Sequence, residues 1–305
     1  MSNRDTRPAT DPAPDRLTVA LPGGAELAVL RWPGPATGAP LVVVWPALGV
    51  RARFYRRFAA ELAAHGLGVA VVDLRGYGDS RPRPDSSSRY GYHEMATVDY
   101  PAVFDALRER APDSPLFLLG HSIGGQIGLM YAARNPAELD GILLVAAGTP
   151  HFRTYPGLTK LIPLLGTHAI AGVARLRGYW PGDVLRFAGR QSRVLVGDWA
   201  RMARTGRYRP AGANVDYEQV IADLRLPVLA VSVGNDLLAP PGAVDALCGL
   251  LPGATVSRWH HAEQLSHTAW ANRPEPIARE IGRWIDSTLA GKPWPGPGGD
   301  SDAVS

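Results

Sequence analysis

The stretch PLFLLGHSIGGQIGLMYAA, residues 115 to 133, sets Gly-His-Ser between two apolar runs with no spacer on either side. The left run, 116–119, is short, apolar and led in by Pro115, which reads as a buried strand. The right run, from Ile127 onward, has the length and residue types of a helix pressed against a sheet. Only a very tight turn fits between them. Glycines at 120, 124 and 125 suit such a turn, because side chains there would collide with neighbouring backbone. G-x-S-x-G in a strand–turn–helix setting lifts the Ser122 hydroxyl above the sheet at the mouth of a helix. Five-residue matches occur by chance, so the remainder of the chain has to supply the partners such a hydroxyl needs.

Around this point the chain alternates apolar runs with helical stretches. Residues 16–32 give two alternating segments about Gly23-Gly24, a hairpin signal. Runs follow at 41–45 and 69–74, with helical stretches at 53–65 and roughly 94–110. Further runs lie at 141–147 and 227–233, a last strand covers about 254–260, and a long helix runs from about 275 to 290. Buried strands alternating with amphipathic helices predict an α/β architecture: a mostly parallel sheet with helices on both faces. No internal repeat interrupts it. Between Ala147 and Pro227 the rhythm stops. That interval holds helical patterns and the aromatics Tyr155, Tyr179, Trp180, Trp199 and Tyr208, but no sheet-like apolar run. Ligands of open α/β sheets bind beyond the carboxyl ends of the strands, so an insertion leaving from such an end sits over the site. The expected organisation is a core of 16–148 and 225–290, a cap at 149–224, and disordered tails at 1–15 and 291–305.

A serine hydroxyl is a poor nucleophile without a base, and the base needs an orienting acid. In this arrangement the partners follow in the order Ser, acid, His, each just past a strand end. After PVLAVSV comes GNDLLAP, which puts Asp236 on the loop. After the last strand comes HHAEQLSHTAW. His260 and His261 fall where the strand is ending and face opposite sides, whereas His267 follows a polar loop that can carry it over the strand ends. Ser122, Asp236 and His267 are therefore the candidate catalytic residues. The developing oxyanion needs backbone donors; the expected pair is the N–H of Ile123 and the N–H of Leu48 in the loop PALG. A structural reading stands beside each: Asp236 as a turn residue, His267 as a packed histidine, residues 46–49 as a plain turn.

The chain resembles the α/β-hydrolase superfamily from about residue 16 to 290. The resemblance rests on GHSIGG at 120–125, DLRGYGDSRP at 73–82, GNDLLAP at 234–240 and SHTAW at 266–270. It implies the α/β-hydrolase fold with an inserted helical cap, and Asp73, Gly76 and Gly78 as shapers of a turn beside the site. GYWPG at 178–182 and DWARMARTGRY at 198–208 are similar to a branch of predicted bacterial hydrolases. One departure stands out: many relatives read His-Gly in the oxyanion loop, where this chain reads Pro46-Ala47, losing a histidine that often braces the loop. His121 before the nucleophile is expected to be structural, turned away from Ser122.

The implied activity is hydrolysis of an ester or thioester through an acyl-enzyme, with neither metal nor cofactor. Two other classes stay open: a non-hydrolytic enzyme on the same triad (acyltransferase, lyase or cofactor-free haloperoxidase-like), and a binding protein on the same scaffold. Cys248, the single cysteine, sits among apolar neighbours in VDALCGLL and reads as core; one cysteine fits a reducing cytoplasm. The net charge of +4 comes almost wholly from arginine, with Lys160 and Lys292 the only lysines. That matches codon usage in a GC-rich genome, and no nucleic-acid motif accompanies it. The cap arginines 153, 175, 177, 186, 190, 201 and 204 read as ordinary surface residues, or as receivers of an anionic substrate group. The expected partner is a small-molecule or carrier-bound acyl substrate, with no nucleic acid and no membrane.

Overall fold

All five residues of LVVVW at 41–45 are buried, yet their side chains enter two different cores. Val42 and Val44 join one cluster with Phe58, Leu62, Trp270 and Ile281, while Leu41, Val43 and Trp45 join another with Tyr100, Ile127 and Met130. Successive side chains on a strand point to opposite faces, so a wholly apolar strand belongs at the centre of a sheet covered on both sides. The computed structural model, which describes residues 13–298, has that arrangement.

Its strands are β1 (Asp15–Ala20), β2 (Glu26–Trp32), β3 (Leu41–Trp45), β4 (Gly68–Val72), β5 (Leu116–His121), β6 (Gly141–Val145), β7 (Tyr179–Gly182), β8 (Gly189–Ser192), β9 (Pro227–Gly234) and β10 (Thr255–Gln264). The main sheet runs β1-β2-β4-β3-β5-β6-β9-β10. Its first two pairings, β1 with β2 and β2 with β4, are antiparallel, and all the others are parallel. The longer helices are α1 (Arg56–Ala64), α2 (Tyr100–Arg108), α3 (Ile123–Arg134), α4 (Thr167–Arg177), α5 (Arg193–Thr205) and α6 (Glu275–Leu289). Helices α1 and α6 cover one face, α2 and α3 the other. Every residue of α3 from Ile123 to Ala132 is buried, which explains why its sequence shows no polar stripe.

The mostly parallel sheet and its helices agree with the sequence expectation, and the differences have local causes. The strand expected at about 254–260 continues to Gln264, with a register shift between His261 and Gln264 that lets it bend. Residues 262–264 are thus strand, not loop. Between β6 and β9 the chain forms α4, α5 and a small antiparallel hairpin, β7–β8. The hairpin escapes an apolar-run search because YWPG and GRQS are short and mixed. The tails expected at 1–15 and 291–305 lie largely outside the described residues; Asp15 itself opens β1.

Candidate active site

Ser122 stands between β5 and α3 with φ 56° and ψ −121°. A non-glycine residue held there costs on the order of 1–3 kcal/mol, which surrounding packing must hold in place. That packing is tight. A Cβ on Gly120 would lie 2.1 Å from the Gly125 Cα, and one on Gly124 would lie 2.1 Å from the Trp45 carbonyl oxygen. The elbow is thus wedged against the carboxyl end of β3, and Ser122 is turned into a cavity of about 550 Å3 also lined by Leu48 and His267.

Asp236 follows β9, its side chain wholly shielded from solvent. Its Oδ1 accepts the Leu238 N–H (2.8 Å) and the Ala239 N–H (2.9 Å). Both carboxylate oxygens face His267 Nδ1, at 3.0 and 2.9 Å. An ionised carboxylate only accepts, so Nδ1 carries the proton and Nε2 is free to take one. Ser122 and His267 share the cavity wall, and among the described residues no hydrogen bond joins them. Resting-state hydrogen bonds of this kind are often long and tighten with substrate bound. His260 Nδ1 instead meets the Ser232 hydroxyl at 2.8 Å, and His261 lies 3.5 Å from Glu263. Neither lines the cavity.

The loop that lacks the relatives' histidine is braced differently. The Ala47 N–H donates to Tyr55 Oη at 3.1 Å, and Tyr55 Oη lies 2.7 Å from His121 Nδ1. His121 Nε2 lies 2.9 Å from the carbonyl of His267. A carbonyl can only accept, so Nε2 bears the hydrogen and Nδ1 accepts from the tyrosine. Burial, and then the neighbouring His267, hold the His121 imidazole well below its usual range, so it stays neutral. Trp270 Nε1 donates to the same His267 carbonyl at 3.0 Å. One buried chain of hydrogen bonds thus links the loop at 46–49 to the segment that carries His267. Tyr55 and Trp270 were not singled out in the sequence; their signal was an aromatic with a polar atom inside an apolar pattern. Gln126, a polar residue in an apolar helix, gave the same kind of signal. It accepts from Tyr92 Oη (2.8 Å) and donates to the Gly148 carbonyl (2.7 Å), tying down the start of the cap.

Asp73 acts as a brace. Its carboxylate accepts the Ala52 N–H (2.6 Å) and the Asp79 N–H (2.8 Å), and a Cβ on Gly78 would overlap it. Ile123 is the first residue of α3, where the N–H has no intrahelical acceptor. Leu48 follows the Ala47 anchor and lines the cavity.

Over the cavity lies the segment between β6 and β9. Tyr155, Ile170, Trp180, Phe187 and Trp199 face the cavity, so several of the flagged aromatics meet there. Tyr155 Oη donates to the Leu238 carbonyl at 2.6 Å, two residues past Asp236. The β7–β8 turn presses on the oxyanion loop. Gly49, at φ 74°, is where a Cβ would fall 2.4 Å from the Ala188 carbonyl carbon. Of the cap arginines, Arg190 pairs with Asp183 and Arg201 with buried Asp198, while Arg186 lines both the cavity and an adjoining groove. That groove and its neighbour also carry Arg51, Arg53, Arg56 and Arg57, a basic run with interleaved aromatics (RARFYRR) that the sequence reading passed over. Cys248 is half-buried against the main core, and burial pushes its thiol up.

A serine on a strained strand-to-helix turn, with an Asp–His pair from later strand ends and a lid between β6 and β9, defines the α/β-hydrolase class. A profile of the family described as serine aminopeptidase, S33, matches residues 38–173, just under half of the chain. The chain is 32% identical over 123 residues to the AB hydrolase superfamily protein YisY of Bacillus subtilis, covering 39% of this chain and 42% of that one. It is 26% identical over 235 residues to the pimeloyl-[acyl-carrier protein] methyl ester esterase of Neisseria meningitidis, covering 72% and 69%. A soluble variant of monoglyceride lipase from Saccharomyces cerevisiae superposes with a TM-score of 0.68 at 16% identity, over 92% of this chain and 98% of that one. The chain has the fold of the α/β hydrolases and is similar to them in sequence over the stretch that the profile matches. It spans about two fifths of the length of the Bacillus relative.

Proposed function

We propose that this chain is a serine hydrolase that cleaves an ester or thioester through an acyl-enzyme. His267 Nε2 takes the Ser122 proton as Oγ attacks the carbonyl carbon. The tetrahedral oxyanion is held by the N–H groups of Ile123 and Leu48. Asp236 keeps His267 in the required tautomer and stabilises the imidazolium. His267 then gives its proton to the leaving alcohol or thiol, and water repeats the sequence on the acyl group. The observation that carries this reading is the buried Asp236 carboxylate facing His267 Nδ1, with His267 and Ser122 on one cavity wall. Apolar walls at Ile170, Trp180, Phe187 and Trp199 favour an apolar acyl or alkyl group. The Neisseria and yeast relatives, named for methyl ester and monoglyceride chemistry, support an ester substrate.

The test is intact-mass analysis after treatment with a fluorophosphonate. The wild-type chain should gain a single adduct on Ser122, and folded Ser122→Ala should gain none while losing roughly 10⁴- to 10⁶-fold in turnover. Labelling of Ser122→Ala, or wild-type turnover by it, sinks the serine mechanism. Product analysis with and without an added alcohol acceptor separates hydrolysis from acyl transfer.

A further inference from the structure

Ten of the eleven large apolar side chains that stand exposed among the described residues lie between Leu158 and Phe187 or at Leu237 and Leu238. They are not scattered. Leu158, Leu161, Ile162 and Leu165 are 80, 42, 45 and 61% exposed and fall at i, i+3, i+4 and i+7 of one helical segment, Gly157–Arg177. The segment opens with a 3₁₀ turn and a π turn, and all four of these side chains stand on its solvent-exposed side. The segment is 21 residues long, and only 22% of its most apolar stretch is buried. Ile162, Leu185, Phe187 and Leu238 are both exposed and part of the cavity lining, so the apolar surface continues from the outer face of the cap through the mouth. A folded monomer rarely leaves so much contiguous apolar surface facing water without a use for it.

Charge separates the possible occupants. Residues 149–197 hold seven basic side chains and a single acid, Asp183, in a chain whose total is only +4. The positive excess of the molecule therefore sits in the half of the cap that bears the apolar stripe. Lys160, Arg175, Arg177 and Arg186 are exposed there, and the groove beside Phe187 adds Arg51 and Arg83. A second copy docked by a two-fold axis would set two such surfaces against each other, and like charges would oppose it. A membrane span is also excluded, since Thr167, Ile170 and Ala174 of the same segment are buried in the cap. An apolar stripe flanked by basic residues is the pattern of a helix that lies in an anionic interface.

We propose that the outer face of the cap docks on an anionic lipid surface, with the cavity mouth facing that surface. Leu158 and Leu165 enter the acyl boundary, and the flanking arginines meet the headgroups. The sequence expectation of no membrane partner is set aside for this face, and surface attachment needs no span. This proposal does not depend on the hydrolytic reading, because docking requires neither Ser122 nor His267.

The experiment is co-sedimentation of the full chain with vesicles of phosphatidylcholine alone and of phosphatidylcholine mixed with phosphatidylglycerol. Binding should be roughly tenfold or more tighter to the mixed vesicles at low salt, and it should fall in about 0.5 M salt. Leu158→Gln combined with Leu165→Gln, at two exposed positions outside the cavity lining, should weaken binding about tenfold or more. Hydrolysis of a soluble short-chain ester should be unchanged by that pair. Arg175→Gln with Arg177→Gln should weaken binding to the mixed vesicles only. The proposal is overturned if the wild-type chain pellets no more with mixed vesicles than without lipid, or if the double leucine variant binds as the wild type does. It is equally overturned if sedimentation velocity shows a dimer that the leucine variant dissolves and vesicles do not bind.

Discussion

At Asp236 two oxygens face one ring nitrogen, while Oδ1 also accepts two backbone N–H groups. An asparagine in the same pose keeps an acceptor for the backbone but loses the anion that sets the His267 tautomer. Asp236→Asn should therefore fold normally and lose roughly 10³- to 10⁴-fold in kcat. His267→Ala should be nearly inactive, whereas His260→Ala and His261→Ala should retain most activity, because neither lines the cavity. The check is steady-state kinetics of the four variants on one ester beside their circular dichroism. A drop under tenfold for Asp236→Asn would move the acid elsewhere, and an inactive but folded His260→Ala would move the base. Of these residues, Ser122, Asp236 and His267 were legible because each has a local signature: a glycine-bounded turn, or a polar loop after an apolar run. His121 was legible only as a residue turned away from the site. Its two partners, Tyr55 and the His267 carbonyl, lie 66 and 146 positions distant, and no local pattern encodes such a pairing.

The strand-level plan of the sheet was legible for a physical reason: parallel strands buried on both faces are mostly apolar, as 41–45 and 116–119 are throughout and 227–233 is but for Ser232. The β7–β8 hairpin was not, since its pairing is carried by backbone across residues such as Gly182 and Gly189. Nor was the bend in β10, because a register shift leaves composition unchanged. The loop at 46–49 departs from the expected pattern, and its bracing comes from packing. Tyr55 takes the Ala47 N–H there. Tyr55→Phe leaves that N–H and His121 Nδ1 without partners in the interior, each costing about 1–3 kcal/mol. Urea unfolding should register that loss. If the brace also positions the Leu48 donor, kcat should fall about tenfold with KM little changed. A variant that unfolds more easily yet keeps wild-type kcat would confine Tyr55 to the core.

For the whole molecule, buried His121 links stability to pH. Its imidazole is held well below the usual range by burial, so the folded state refuses a proton that the unfolded chain accepts below about pH 6.5. Stability is then complete above that pH and is lost as pH falls, at up to about 1.4 kcal/mol per pH unit from this one group. Melting temperatures across pH 5 to 8 should show the decline in the wild-type chain and a shallower one in His121→Gln. Equal slopes would assign the acid sensitivity to other groups. The contact of the cap turn with Gly49 has a mechanical corollary. Ala188 occupies the space a side chain at Gly49 would need, and the Tyr77 ring occupies the space one at Gly189 would need. The cap turn is therefore interlocked with the loops at Gly49 and at Tyr77 like a key in its ward. A larger residue at either glycine would have to push the cap turn and its neighbouring loop apart, so the two are built to move as one piece.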